Sequence, residues 1–98
     1  MNPSRKPGHP QQVHGSSLPL SLLLHADPSP RLIETYRHTP HAWRIDDQEH
    51  TAAAAIVQPQ NAQSWELMNI AVAPSHQGRG LGAQLLSTVI DYVRAQGA

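Results

Sequence analysis

The stretch WELMNIAVAPSHQGRGLG, from Trp65 to Gly82, decides the fold of this chain. Its first half is an apolar run that predicts a mostly buried strand, and Pro74 and the glycines after it predict a turn. The following run, from Leu81 to Val93, carries apolar residues at the spacing that places them on one face of a helix. Gly97 is suited to end that helix. The stretch therefore predicts a strand, a glycine-rich loop and a helix.

A loop of this kind predicts an anion site. Glycines let several backbone N–H groups approach a ligand, and the helix N-terminus adds unpaired N–H groups and the positive end of a dipole. The Walker phosphate-binding pattern is absent, since Gly80 is followed by Leu81 and not by lysine. The dinucleotide-binding pattern is satisfied by Gly78, Gly80 and Ala83, but residues Pro74 to Gln77 separate it from its strand. The acidic residue that this pattern requires about 20 residues later would lie beyond the end of the chain.

The loop also resembles the coenzyme A signature of a large family of acyltransferases. Residues Gln77 to Gly82 match the pattern (R/Q)-x-x-G-x-(G/A) of the GNAT superfamily of N-acyltransferases. The strand ending at Val72, then Pro74, then the amphipathic helix beginning at Leu81 follow the order of that family's fourth strand and third helix. The resemblance extends back to about Leu20 and covers most of the chain. It implies an acetyl-CoA-dependent N-acetyltransferase, with acetyl-CoA as cosubstrate and an amine, on a small molecule or a protein, as acceptor.

Carried over onto this sequence, the resemblance assigns the cofactor-binding residues. Backbone N–H groups of the loop would bind the pyrophosphate, and the strand backbone would bind the pantetheine arm as an added strand would. The residues concerned are Ile70, Ala71, Val72, Gln77, Gly78, Arg79, Gly80, Leu81 and Gly82. The amide that polarises the thioester carbonyl lies near Ile70 or Val72. A Cβ at Gly80 or Gly82 is expected to keep the phosphate away from the backbone N–H groups of the loop. Arg79 either adds positive charge near a phosphate or is a solvated loop residue.

Glu66 is the candidate catalytic base. Transfer to an amine requires a base, because an ammonium group must lose a proton before its nitrogen can attack. Glu66 precedes Gln77 at the separation found for the catalytic glutamate in histone-type members of the family. The alternative interpretation of Glu66 is a carboxylate at the start of a strand that faces solvent and has no catalytic role. Asn69 either orients the acceptor or bonds at the sheet surface, and we favour the second. No tyrosine matches the family's usual general acid, so Tyr36 and Tyr92 are interpreted as packing residues.

Composition excludes several classes of protein. The chain has 98 residues, which is enough for one domain, and its seven basic residues equal its seven acidic ones. Formal neutrality argues against a nucleic-acid partner and against an anionic membrane surface. The absence of cysteine excludes a disulfide framework, a thiolate metal site and a cysteine nucleophile. Because there is no long apolar run and no secretory signal, we expect a cytoplasmic protein.

The seven histidines invite a metal-site hypothesis, which their spacing does not support. His38 and His41 are the closest pair in sequence, but they flank Pro40 at the end of a predicted helix. A shared helical face is therefore not expected, and no metal site is predicted.

The remaining segments predict an α+β fold in which a layered, mixed sheet carries helices. Residues 1–17 are rich in proline, glycine and polar residues and are expected to be a disordered tail, with the domain spanning 18–98. Beyond the tail we expect strands at about 20–26, 42–46 and 51–58 and a short helix ending before Pro40. Four consecutive alanines favour a helix near residue 53, but pairing with the preceding strand favours β structure. The predicted order is strand, helix, strand, strand, strand, helix.

The resembling family continues with a fifth strand, a fourth helix and a final hairpin, which are expected after Gly97. The chain is therefore interpreted as the N-terminal part of an acetyltransferase domain, truncated after the third helix. On its own it is expected to bind coenzyme A weakly and to self-associate through the uncovered strand edge. The alternative function, from another class, is a non-catalytic module that binds coenzyme A or another anion, or that binds a protein.

Overall fold

The computed structural model describes residues 7–97 as a four-stranded antiparallel sheet with helices on both faces. The strands are β1 (Gln11–Val13), β2 (Ala42–Asp47), β3 (His50–Asn61) and β4 (Ser64–Val72), and the helices are α1 (Leu20–Leu23), α2 (Pro30–Tyr36) and α3 (Leu81–Ala95). The sheet order is β1-β2-β3-β4, and each pair of neighbours is antiparallel. Helices α1 and α2 cover one face and α3 covers the other. The predicted α+β class is confirmed.

The alanine run is a strand, as predicted, even though alanine is a strong helix former. Residues Ala52 to Val57 are all buried in β3. Ala54 and Ile56 belong to the apolar cluster beneath α1 and α2, whereas Ala53, Ala55 and Val57 belong to the cluster beneath α3. Burial on both faces overrides local propensity, and the small side chains let helices pack closely on each side of the strand.

The predicted strand at 20–26 is wrong, because this segment begins with the helix α1. The Leu24 N–H donates to the Leu20 carbonyl at 3.0 Å, and Leu22 and Leu23 are buried against the sheet. A short run of leucines has neither a clear alternating nor a clear helical period, so the sequence does not distinguish the two structures. The segment after it is helical as expected, and the Ser29 hydroxyl caps α2 by accepting from the Leu32 N–H at 3.2 Å.

The expected disordered tail over 1–17 is wrong for its second half. Strand β1 pairs with the first half of β2, with Gln12 opposite Trp43. The Gly15 N–H then donates to the Thr39 carbonyl at 2.8 Å, and a Cβ on Gly15 would lie 2.0 Å from the Arg37 carbonyl oxygen. Only glycine permits this close approach of two backbones. The first six residues of the expected tail lie outside the described residues.

Strand β4 contains a β-bulge that changes which side chains face α3. Leu67 is opposite Val57 and Asn69 is opposite Ile56, so Met68 is an extra residue with no partner in β3. Because successive side chains of a strand alternate between faces, one extra residue reverses the alternation. Leu67 accordingly lies on the α3 side, whereas Met68 packs with the cluster beneath α1 and α2.

A chain of buried hydrogen bonds joins β4 to the helices on the opposite face from α3. The Asn69 side chain is 3% exposed, and its Nδ2 donates to the Leu23 carbonyl at 3.1 Å and to the Tyr36 hydroxyl at 3.0 Å. The Tyr36 hydroxyl donates in turn to Asp27 Oδ2 at 2.9 Å. The expected position of Asn69 at the sheet surface is therefore wrong. Its Nδ2 group fixes α1 and α2 to β4, because a buried donor without acceptors would be costly.

We expect Tyr36→Phe to lower the free energy of unfolding near neutral pH by about 1–3 kcal/mol, because it removes a hydroxyl that pairs with two buried or half-buried groups. Burial, and then the Asp27 carboxylate, raise the pKa of Tyr36 above its ordinary value, against an opposing effect of the Asn69 amide. The folded state therefore holds this proton more tightly than the unfolded state. Its contribution to stability is complete below about pH 10 and is lost as the pH rises through the raised pKa.

Urea unfolding of the wild type and of Tyr36→Phe at pH 7 and in the alkaline range tests this expectation. Tyr92→Phe is the matched control, because Tyr92 bonds to His41 Nδ1 on the other face of the sheet. The wild type and the control should lose more stability at alkaline pH than Tyr36→Phe. Equal alkaline losses in all three proteins would contradict the assignment of this proton to Tyr36.

Candidate active site

The glycine-rich loop leads directly from β4 into the N-terminus of α3. At its start the Ala73 N–H donates to the Ala52 carbonyl at 2.8 Å, which fixes the end of β4. After a short 3-10 turn, Gly78 and Gly80 have φ angles of +80° and +78°. Both angles lie in the left-handed region, which glycine adopts without the steric cost that a side chain imposes. These two residues therefore allow the sharp change of direction before α3 begins at Leu81.

The N-terminus of α3 lacks a side-chain cap. Gly80 is its N-cap residue and has no side chain that could accept from the first turn. In any α-helix the first N–H groups have no acceptor within the helix, and they lie at the positive end of the dipole. This end of α3 can therefore donate several hydrogen bonds to an anion, as the sequence predicts.

Gly82 differs from the other two glycines of the loop. A Cβ at this position would lie 3.7 Å from Val72 Cγ2, which is ordinary van der Waals contact. The fold therefore tolerates a methyl group there, in agreement with a signature that accepts either glycine or alanine. The expectation that a Cβ at Gly82 holds the phosphate off concerns the ligand and stays a prediction.

Polar contacts position the loop at two points. Gln77 Nε2 donates to the Val72 carbonyl at 3.3 Å, so this side chain reaches back to β4. His76 Nε2 donates to Asp47 Oδ2 at 2.7 Å, and Ser75 Oγ lies 2.8 Å from His76 Nδ1. Sequence reasoning missed the pair of His76 and Asp47, because no sequence signal connects a loop residue with the end of β2. The pair connects the loop to the hairpin formed by β2 and β3.

The backbone segment predicted to bind the pantetheine arm lies at the edge of the sheet. Ala71 is buried on the side of α1 and α2, whereas Ile70 and Val72 pack with the cluster beneath α3. Strand β4 is the last strand in the sheet order, so within residues 7–97 no strand pairs with its second edge. Its outward N–H and C=O groups are available to an extended ligand.

Glu66 lies on the same strand, before the bulge, and is opposite Gln58 in β3. It is exposed and borders an open groove of about 300 Å³ between β4 and α3. The other lining residues are Val57, Trp65, Leu67, Leu86, Val89, Ile90, Val93 and Arg94. Trp65 and Leu67, on either side of Glu66, lie on the α3 side, so by strand alternation the Glu66 carboxylate is directed to the other face of the sheet. The groove includes none of the predicted cofactor-binding residues.

Two further kinds of site were considered. Over the part of the chain that the structure describes, no group of three or more His, Asp or Glu side chains is arranged to hold a metal ion. Over the same residues, no helix has the length and apolar character needed to cross a membrane.

Comparison with known proteins places this geometry in a family. The family model described as "Acetyltransferase (GNAT) family" matches residues 13–98. Among solved structures, an IAA acetyltransferase from Bacillus cereus superposes with a TM-score of 0.80 at 30% identity, over 90% of this chain and 59% of that one. A GNAT family acetyltransferase from Elizabethkingia anophelis with acetyl-CoA bound gives 0.76 at 32% identity, over 90% of this chain and 57% of that one.

A third neighbour is an acetyltransferase from Bacillus subtilis in complex with CoA, with a TM-score of 0.76 at 27% identity, over 95% of this chain and 61% of that one. The chain thus spans 57–61% of the length of these three proteins. No curated protein matches it. The match over residues 13–98, together with these structural neighbours, shows that the chain belongs to the GNAT family of acetyltransferases.

Proposed function

We propose that this chain provides the acetyl-CoA-binding part of an N-acetyltransferase, which transfers an acetyl group from the coenzyme A thioester to an amine. The observation that carries this proposal is the loop in which Gly78 and Gly80 lead from β4 to the uncapped N-terminus of α3. Two structural neighbours contain acetyl-CoA or CoA, which supports the same ligand here.

In this proposal the backbone of the loop binds the pyrophosphate of the cosubstrate. Residues Gln77, Gly78, Arg79, Gly80, Leu81 and Gly82 form the phosphate site. Their N–H groups act together with the dipole of α3, which favours negative charge at this end. Arg79 is exposed in the loop and adds a charge that water and salt screen. Ile70, Ala71 and Val72 bind the pantetheine arm along the open edge of β4.

The thioester supplies an activated acetyl group, and the residues of the chain direct its transfer. An amide N–H near Ile70 or Val72 donates to the thioester carbonyl oxygen and stabilises the negative charge that develops there. Glu66 accepts a proton from the acceptor ammonium, directly or through water, so that the nitrogen can attack. The C–S bond breaks as the C–N bond forms, and the thiolate leaves as coenzyme A after it takes up a proton.

A second candidate function is a non-catalytic coenzyme A-binding module. It is favoured by the position of Glu66, which borders an apolar groove that contains none of the predicted cofactor-binding residues. Such a module binds coenzyme A but releases no thiol from acetyl-CoA in the presence of an amine.

We expect Gly80→Val to weaken coenzyme A binding about tenfold or more, because valine disfavours the left-handed conformation that orients the N–H groups of the loop. Arg79→Ala should weaken binding by about fivefold at most, since an exposed charge contributes little. Isothermal titration calorimetry with coenzyme A measures both effects. Gly97→Val is the matched control, because Gly97 also has a positive φ angle, +90°, and lies beyond the other end of α3.

The control separates loss of the binding loop from general backbone strain. Gly97→Val should lower stability and leave the affinity for coenzyme A unchanged. If Gly80→Val and Gly97→Val weakened binding equally, the loop would not be the phosphate site. If Arg79→Ala cost more than Gly80→Val, charge and not backbone approach would hold the ligand.

We expect Glu66→Gln to lower the rate of acetyl transfer by about 10²-fold or more and to change its dependence on pH, because the amide accepts no proton. The affinity for coenzyme A should not change. Thiol release from acetyl-CoA with a panel of primary amines measures the rate, and the absence of cysteine from the chain removes any background thiol. Glu49→Gln, an exposed change in the turn between β2 and β3, is the control.

Three results are distinguishable in this assay. A loss confined to Glu66→Gln supports the role of Glu66 as base. Equal rates for the wild type and both variants would show that Glu66 is a surface carboxylate. Coenzyme A binding without thiol release by the wild type would favour the non-catalytic module.

A further inference from the structure

We propose that His76 and Asp47 are positioning residues of the coenzyme A site, so that one determinant of affinity lies outside the glycine-rich signature, on strand β2. Their contact fixes the start of the loop and, with it, the directions in which the N–H groups of the loop point. This role rests on the proposed function for its ligand, although the order of the loop can be measured without any ligand.

The contact between the two side chains is short and largely shielded from water. His76 Nε2 lies 2.7 Å from Asp47 Oδ2, and the two side chains are 14% and 22% exposed. An ionised carboxylate only accepts hydrogen bonds, so Nε2 carries the donated proton. Hydrogen bonds to a charged group are about twice as strong as neutral ones. The opposite ring nitrogen, Nδ1, lies 2.8 Å from Ser75 Oγ, so both nitrogens are paired and the orientation of the imidazole is fixed.

The pair joins two strands that are not neighbours in the sheet. His76 is the last residue of the 3-10 turn after β4, and Asp47 is the last residue of β2. Strand β3 lies between β2 and β4 in the sheet order. The Gln77 side chain, by comparison, bonds to Val72 of β4 itself. His76 therefore ties the loop to a part of the fold that β4 does not reach.

A β-bulge in β3 lies beside this pair. The register of β2 against β3 shifts between Ile45 and Asp46, so Ala52 is an extra residue with no partner in β2. A bulge locally redirects the strands that contain it. The Ala52 carbonyl accepts from the Ala73 N–H at 2.8 Å. The same irregularity therefore contributes to two positions, the start of the loop and the end of the hairpin that carries Asp47.

Beyond His76 the loop is not held by close packing at its glycines. Residues Gln77 to Gly80 are exposed, and a Cβ added at Gly78 or Gly80 would meet nothing within 4 Å. The chain becomes buried again at Leu81, where α3 begins. Four residues thus lie between two fixed points. Because glycines have the most backbone freedom to lose, release of one fixed point raises the entropic cost of ordering the N–H groups around a phosphate.

Isothermal titration calorimetry with coenzyme A tests the role of the pair. We expect His76→Leu and Asp47→Ala each to weaken binding about fivefold or more, because each removes one partner of a shielded hydrogen bond to a charged group. His76→Gln should keep most of the affinity, since its side-chain amide can donate to Asp47 in place of Nε2. Asp46→Ala is the matched control, because Asp46 is adjacent in sequence but pairs with Arg44 within β2. It should leave the affinity unchanged.

The double variant distinguishes a pair from two separate contributions. If His76 and Asp47 act through their mutual contact, the protein with both His76→Leu and Asp47→Ala should bind coenzyme A about as tightly as either single variant. Losses that add fully would show that each side chain acts on its own, which would overturn the proposal.

Relaxation of ¹⁵N nuclei in the ligand-free protein measures the order of the loop directly. We expect lower order parameters at Gly78 and Gly80 in His76→Leu than in the wild type. The Gly15 amide is the internal reference, because it is buried and donates to the Thr39 carbonyl far from the loop. Its order parameter should not change, and circular dichroism verifies that the variants fold.

These measurements separate failure of the pair from failure of the proposed function. Unchanged loop order in His76→Leu would overturn the positioning role. So would a coenzyme A affinity that stays unchanged in this variant, or an equal loss in Asp46→Ala. If His76→Leu lowered the order of the loop but the wild type bound no coenzyme A, the proposed function would be contradicted, whereas the positioning of the loop by Asp47 would be supported.

Discussion

The antiparallel pairing of β3 with β4 is the interaction on which the rest of the structure depends. It runs from the pair of Ala53 and Val72 to the pair of Asn61 and Ser64, and one more hydrogen bond, from the Ala73 N–H, extends it to the start of the glycine loop. Because this pairing fixes the last residue of β4, it also fixes where the loop begins. The position of the proposed phosphate site is therefore determined by the sheet and not by the loop itself.

The alanines of β3 make this central position possible. A strand that is covered by helices on both faces needs side chains small enough to let both layers approach, and Ala53, Ala54 and Ala55 meet this need. Beneath α1 and α2 the apolar contacts are supplemented by the hydrogen bonds of Asn69 and Tyr36. Hydrogen bonds are directional, so these two residues specify one position of the helices, where apolar contact alone would tolerate several.

The sequence predicted the elements with strong periodicity and missed those held by backbone contacts. The strand–loop–helix unit around Gly80 and the strand at residues 51–58 were correct, because burial and turn residues leave clear patterns. Strand β1 was missed because Gln11–Val13 contains one apolar residue. Its pairing with β2 uses backbone hydrogen bonds, which do not depend on residue type and so are not indicated by composition. Helix α1 was taken for a strand because four residues are too few to show a period. The contact of His76 with Asp47 depends on tertiary structure alone.

The glycines of the loop show why a motif and its structure carry different information. All three occupy one signature, but the fold requires a left-handed conformation only at Gly78 and Gly80, while Gly82 has room for a methyl group. Under the proposed function the motif therefore combines two constraints: the fold requires a change of chain direction, and the ligand requires a close approach to the N-terminus of α3. The first constraint is met by contacts within the fold, because Gln77 and His76 hold the loop against β4 and the hairpin. A preformed loop loses less conformational entropy on binding, so its N–H groups bind an anion more tightly than those of a loop that must first become ordered.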